Sequence, residues 1–95
     1  MTRTEVLQKA INTYGVTSQE NMAIEEMSEL TKAILKHRRA FGAAEKRAAN
    51  ENVVEEIADV QIMLDQMRMI YGDTSEQEEF KVKRLEKRMM AENER

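Results

Sequence analysis

The chain has 95 residues, which limits it to a single small domain over 1–95, and its 15 basic and 18 acidic residues leave a formal net charge of -3 that argues against a general polyanion binder. It has no cysteine, no proline, no tryptophan and only three glycines, which excludes disulfides and thiolate metal sites and favours long helices over sheet. The opening Met1-Thr2-Arg3-Thr4-Glu5 lacks the apolar run of a signal peptide, and no stretch reaches the ~20 apolar residues that span a bilayer, so a soluble, cytoplasmic, all-α protein is expected.

Periodicity and capping residues predict four helices. The first runs from about Thr4 to Tyr14, with Leu7, Ala10, Ile11 and Tyr14 at helical spacing and Gly15 as its stop. Thr17-Ser18-Gln19-Glu20 has the form of a capping box and opens a second helix to about Phe41, with Ala23, Met27, Leu30 and Ile34 in one stripe before Gly42. Residues Ala43 to Asn50 fit either helix or loop. The third helix, Asn52 to Tyr71, places Val53, Ile57, Val60, Leu64, Met67 and Tyr71 along one stripe and ends at Gly72. Ser75 with Glu78 forms a further capping-box pattern and opens a fourth helix to about Ala91, which carries Val82, Leu85 and Met89 on one side; Glu92 to Arg95 fray.

One pattern is written twice. Ala23-Ile24-Glu25-Glu26-Met27-Ser28-Glu29-Leu30 and Val53-Val54-Glu55-Glu56-Ile57-Ala58-Asp59-Val60 share the order apolar, apolar, Glu, Glu, apolar, small, acid, apolar. Residues three apart share a helix face, so Glu26 with Glu29 and Glu56 with Asp59 each form a carboxylate pair. The midpoint of the two copies falls at Gly42 and Ala43, where a reversal sets them level on antiparallel helices. Glu26 then lies roughly opposite Asp59, and Glu29 opposite Glu56, with the acids bordering the apolar seam. Converging carboxylates repel one another, raise their own pKa values or take up a cation, and an oxygen-only ligand set suits Mg²⁺ or Mn²⁺ rather than zinc. One Glu-x-x-Glu on a Glu-rich helix is ordinarily a solvated face. Two copies in the same register to an apolar stripe shift the balance toward a site.

The runs Glu25-Glu26-Met27-Ser28-Glu29-Leu30 and Glu55-Glu56-Ile57-Ala58-Asp59-Val60 resemble the E-E-x-x-E then E-x-x-D signature of MazG-like nucleoside triphosphate pyrophosphohydrolases, all-α relatives of the dimeric dUTPases and phosphoribosyl-ATP pyrophosphohydrolases. The resemblance covers roughly Ala23 to Arg88. It implies a four-helix MazG-like bundle with an antiparallel central pair, completed by assembly into a homodimer or homotetramer. It implies further that Glu26, Glu29, Glu56 and Asp59 hold Mg²⁺ and carry catalysis, cleaving a nucleoside triphosphate to the monophosphate and pyrophosphate. Lys81, Arg84 and Arg88, at i, i+3 and i+7 on the fourth helix, look like the family's phosphate-facing positions; the bland alternative is an exposed face paired with Glu78 and Glu92. Glu25 and Glu55 are left as supporting or solvated acids.

Other features carry less. His37, the single histidine, lies in the basic run Lys36-His37-Arg38-Arg39 and reads as a solvated helix residue, although that run could meet a phosphate from a neighbouring subunit. Met27, Met63, Met67 and Met69 read as adaptable packing, and Tyr14, Phe41, Tyr71 and Phe80 as core or subunit contacts. A di-iron carboxylate bundle needs Glu-x-x-His pairs, which this chain lacks. Nucleic-acid binding through the fourth helix is disfavoured by the net charge and by the absence of interleaved aromatics. A non-catalytic oligomerisation or regulatory module remains the main alternative.

Overall fold

The computed structural model describes residues 1–93, and these form four helices and no strand: α1 (Arg3–Tyr14), α2 (Val16–Arg39), α3 (Ala43–Tyr71) and α4 (Ser75–Asn93). At the start of α1, Thr2 supplies a capping box that the sequence reading passed over: its side chain accepts from the Glu5 amide at 3.1 Å while the Glu5 carboxylate accepts from the Thr2 amide. The expected box at Thr17 to Glu20 is absent. Gly15, at φ 91°, ends α1 and begins α2 in a single residue, so Thr17 already lies inside the helix and no side chain caps it.

The reversal between α2 and α3 is equally short. Helix α2 ends at Arg39 rather than Phe41, because Ala40 turns to extended backbone and Gly42, at φ 86°, admits the left-handed geometry that starts α3. Residues 43–50, open from sequence, are helical, which makes α3 a continuous helix of 29 residues. Within the turn, the Phe41 amide donates to the Glu45 carboxylate, and Lys46 Nζ donates at 3.0 Å to the His37 carbonyl, one of the orphan carbonyls at the end of α2.

Helices α2 and α3 run antiparallel along most of their length, and α1 lies across the end of the pair distant from the turn. Leu7 and Ile11 anchor α1, while its expected apolar partner Tyr14 is exposed. An Arg3–Asp65 ion pair at 2.6 Å ties α1 to α3, and Arg68 reaches both Asp65 at 3.1 Å and the Thr74 hydroxyl at 2.9 Å. Tyr71 donates to Glu20 and links the last turn of α3 to the first turns of α2.

The seam differs from the one the apolar stripes predict. Its buried members are mostly small or polar: Ala23 and Ala33 of α2, and Ala49 with the one larger apolar residue Met63 of α3, with Gln19 and Gln66 also buried. Met27 and Ile57, the centres of the predicted stripes, stay 44% and 51% exposed, and Ile34 is exposed beside them. The pair is rotated so that its closest line runs through the alanines, which allow the backbones to approach, and through Glu26 and Glu56, which are half-buried. Of the predicted stripes, Ala23 is buried and Leu30, Val53, Val60, Leu64 and Met67 are half-buried as Glu26 and Glu56 are, so the acids share the seam with part of the stripes while Met27, Ile34, Ile57 and Tyr71 lie outside it.

Helix α4 is the other departure. It packs on none of the other three helices, and none of its residues is buried. Val82, Leu85 and Met89, the predicted inner side, face outward, as does Phe80.

Candidate functional site

Three of the four repeat acids converge. Glu26, Glu56 and Asp59 each offer a carboxylate oxygen, and these oxygens lie within 4.8 Å of one another. The convergence follows from the repeat: antiparallel packing about the turn at Gly42 brings position 26 of α2 level with 56 and 59 of α3, and spacing by three puts the two α3 acids on one face. Glu56 and Glu26 enter from the two sides of the seam, half-buried, and Asp59 approaches from the exposed rim.

Glu29 is the exception. It is exposed, and its carboxylate lies 3.5 Å from Lys32 Nζ one turn along α2 rather than among the other three. With the seam rotated through the alanines, position 26 turns inward and position 29 outward, so the two members of the α2 pair no longer play equal parts. Glu25 and Glu55 point to solvent.

Electrostatics mark the same place. Partial burial holds the Glu26 carboxyl above its ordinary value, and the nearby charges of Asp59, Glu56, Glu25 and Glu29, in that order, push it the same way. Glu56 Oε2 is fully enclosed and has no hydrogen-bond partner, one of two such side-chain atoms among the described residues; the other, Gln66 Oε1, lies outside the acidic cluster. An enclosed carboxylate oxygen without a donor is costly unless a proton or a cation meets it. The donor set, oxygen-only and anionic, fits a hard divalent ion such as Mg²⁺ or Mn²⁺, with Glu56 Oε2 the atom most in need of it.

The basic residues of α4 are not part of this arrangement within one chain. Lys81, Arg84 and Arg88 are exposed on a helix that leaves the other three, and none of them pairs with Glu78 or Glu92 among the described residues; the ion pair on α4 is Lys83 with Glu79, at 3.2 Å. Positive side chains do occur closer to the acids in the fold. Lys36 and Arg39, near the end of α2, line a cleft of about 540 Å³ against the first turns of α3. In the sequence they were two members of a basic run; what distinguishes them is the side of α2 they occupy, which only the rotation of the helix pair settles.

No helix of the described residues is long and apolar enough to cross a membrane. No protein-family model, no curated protein and no solved structure matches this chain.

Proposed function

We propose that the protein is a divalent-cation-dependent nucleotide pyrophosphohydrolase of the MazG-like kind, which cleaves a nucleoside triphosphate to the monophosphate and pyrophosphate. The observation that carries this reading is the convergence of Glu26, Glu56 and Asp59, from two copies of one acidic motif, with one oxygen of Glu56 enclosed and unpartnered. Solvated rims of a helical hairpin would have no reason to enclose a carboxylate oxygen.

Glu56 and Asp59 would hold the cation together with Glu26, and Glu29 lies close enough to add its charge. When bound, Mg²⁺ or Mn²⁺ would supply the positive charge that neutralises phosphate oxygens and acidifies water. Glu26, where Glu56 and Asp59 suffice to hold the cation, would accept the proton of the attacking water. The water oxygen bonds to the α-phosphorus, and the bond from that phosphorus to the α–β bridging oxygen breaks. Its electron pair leaves with pyrophosphate. The water's proton passes to the carboxylate and then to solvent.

Assembly belongs to the same reading. A compact chain of this mass, 11.1 kDa, exposes about 5,700 Å², whereas this one exposes 7611 Å². Its radius of gyration is 17.4 Å, against about 12 Å for a compact domain of this length. The excess, about 2,000 Å² per chain, is of the size that obligate homo-oligomers bury. Ile24, Met27, Ile34, Val54 and Ile57 on the helix pair and Val82, Leu85 and Met89 on α4 are the apolar residues available to do so. A homodimer or homotetramer would cover them and give α4 the neighbour it lacks.

The deciding experiment is a panel of nucleoside triphosphates incubated with Mg²⁺, with monophosphate, pyrophosphate and orthophosphate quantified separately. Initial release of pyrophosphate, abolished by excess chelator, is expected. Orthophosphate as first product, or turnover unaffected by chelator, would overturn the reading.

A further inference from the structure

The groove between α2 and α3 does not end at the acids. On α3, Glu45, Ala49, Asn52, Glu56 and Asp59 succeed one another by steps of four, three, four and three, which is one continuous helical stripe. On α2, Lys36 and Arg39 follow the cluster's Glu26 by ten and thirteen residues toward the turn. The cleft lined by Lys36, Arg39, Glu45 and Asn52 therefore lies along the same stripe of α3 as Glu56 and Asp59, displaced toward the α2–α3 turn. Ten residues along α2, from Glu26 to Lys36, correspond to about 15 Å of helix, and the four from Asn52 to Glu56 on α3 to about 6 Å. Helical side chains lean toward the helix N-terminus, so the long side chains of Lys36 and Arg39 lean along α2 toward the acids and shorten that separation.

The two cations of this cleft outnumber its one acid, Glu45. Among the described residues neither Lys36 nor Arg39 makes an ion pair or a side-chain hydrogen bond. Lys32, by contrast, pairs with Glu29, Lys46 caps the His37 carbonyl and Lys83 pairs with Glu79. Glu45 is the one acid in the lining, and its carboxylate is engaged by the Phe41 amide at the start of α3, where the helix end itself offsets the charge. Half-buried Asn52 adds a neutral donor on the opposite wall. Basic residues in the last turn of α2 also suit its macrodipole, which explains their sign. It does not explain why Lys36 and Arg39 line the cleft on the acids' stripe of α3 while Arg38 lines a separate hollow with Ile34 and Val53.

We propose that Lys36 and Arg39 form an anion-binding end of the α2–α3 groove, which takes the β- and γ-phosphates of a nucleoside triphosphate whose α-phosphate lies at Glu26, Glu56 and Asp59. The substrate orientation rests on the pyrophosphohydrolase reading above; the anion-binding end by itself does not. A guanidinium and an ammonium on the terminal phosphates hold the charge of the departing pyrophosphate, which the acidic end of the groove cannot do. The nucleoside then points along the groove away from the turn, toward the end covered by α1. The polarity of the substrate is thereby fixed by one helix, with cation ligands upstream and phosphate ligands downstream.

The test uses the full chain and inorganic pyrophosphate with Mg²⁺ as the calorimetric probe, on wild type, Lys36→Ala, Arg39→Ala, the double variant and the control Arg38→Ala. Alanine in these exposed helix positions keeps the fold, which circular-dichroism melts verify. Each single variant is expected to weaken pyrophosphate about tenfold and the double variant about a hundredfold, the range of lost charge-assisted contacts. Arg38→Ala should bind as wild type does. Unchanged affinity in the double variant, an equal loss in Arg38→Ala, or no measurable pyrophosphate binding by wild type would each overturn the proposal. Triphosphate turnover and Mn²⁺ binding, measured on the same proteins, separate the two levels. Chelator-sensitive turnover with pyrophosphate affinity indifferent to Lys36 and Arg39 removes the anion end alone. Affinity that depends on both residues in a protein without turnover establishes the anion end and removes the pyrophosphohydrolase reading.

Discussion

The α2–α3 pair and α4 are both amphipathic by sequence, yet one finds its partner inside the chain and the other does not. In the pair, the buried line consists of alanines, glutamines, a methionine and two half-buried glutamates, and Met27, Ile34 and Ile57 of the apolar stripes are left outside it. In α4 the whole apolar side faces outward, from Phe80 at 66% exposed to Met89 at 49%. A stripe of hydrophobic residues records that a surface will be covered; it does not record by which chain. The contrast also separates two surfaces: the acidic cluster lies in the pair's seam, and the uncovered apolar residues lie on α4 and the pair's outer face.

The sharpest way to break that division is to remove charge from the seam. Glu56→Gln and Asp59→Asn keep side-chain size while deleting a ligand, so Mg²⁺-dependent turnover should fall at least about a hundredfold and metal affinity should fall with it. Apo stability should hold or rise slightly, because a repulsive charge has gone. Glu29→Gln should be milder than either, since Glu29 pairs with Lys32 outside the cluster. Steady-state rates with Mn²⁺ titrations on the three variants check the order. A Glu29 variant as inactive as the Glu56 variant would show that the fourth acid swings into the site.

Charge placed on α4 tests the other half. Leu85→Asp with Met89→Asp should convert an oligomer to monomer in sedimentation velocity while the helices of residues 3–71 persist, because α4 contributes no burial to them within the chain. Loss of the entire fold would instead mean that subunit packing holds the α2–α3 pair together. Bulk in the seam sits next in size. Ala33→Leu or Ala49→Leu would crowd the line where the two backbones approach and should cost about 1 to 3 kcal/mol in denaturant unfolding, whereas Ile57→Ala on the exposed border should cost less unless a partner subunit covers it.

These contrasts mark how far the sequence could be followed. The four helices, the reversal at Gly42 and the level placement of the two acidic copies all follow from local rules: glycine stops, period 3.6 and the symmetry of a repeated motif. The rotation of the helices about their own axes does not. Met27 and Ile57 outweigh Ala23 and Ala33 in any count of apolar residues, so the wheel centres the seam on the larger side chains. Burial of alanines in place of the larger Met27 and Ile57, which stay exposed, is a tertiary choice. The same rotation split Glu26 from Glu29 and singled out Lys36 and Arg39 from their basic run. The Thr2 cap could have been found, since Thr2 and Glu5 stand at the required spacing.

The acids also make the seam responsive to pH. A folded Glu26 that holds its proton above the ordinary 4.5 binds more protons than the unfolded chain between that value and its raised one. Apo stability from this group therefore falls as pH rises through that window and levels off above it. Glu26→Gln should lack the slope, and saturating Mg²⁺ should remove it in wild type by competing with the proton. Melting curves of both proteins across the window, with and without Mg²⁺, provide the check; identical slopes in the two would show that Glu26 is not the group responsible.

The smallest expected effect lies far from both regions, at the Arg3–Asp65 pair that fixes α1. Hydrogen bonds from Arg3, and then from Gln61, outweigh partial burial and hold Asp65 below its ordinary 3.8, with the charges of Arg3 and Arg68 acting in the same direction. The folded state thus binds fewer protons here than the unfolded one. The stabilisation is present above the ordinary value and is lost as pH falls through the lowered one, opposite in sign to Glu26. Because the Arg3 side chain is 61% exposed, solvent screens the pair, and Arg3→Ala should cost only about 0.2 to 1 kcal/mol near neutral pH. The difference from wild type should shrink in 1 M salt. Denaturant unfolding at one fixed protein concentration, at neutral and strongly acidic pH, measures it without mixing in assembly. A loss well above 1 kcal/mol, or one that persists below the lowered Asp65 value, would mean that Arg3 holds α1 by packing on the helix pair rather than by charge.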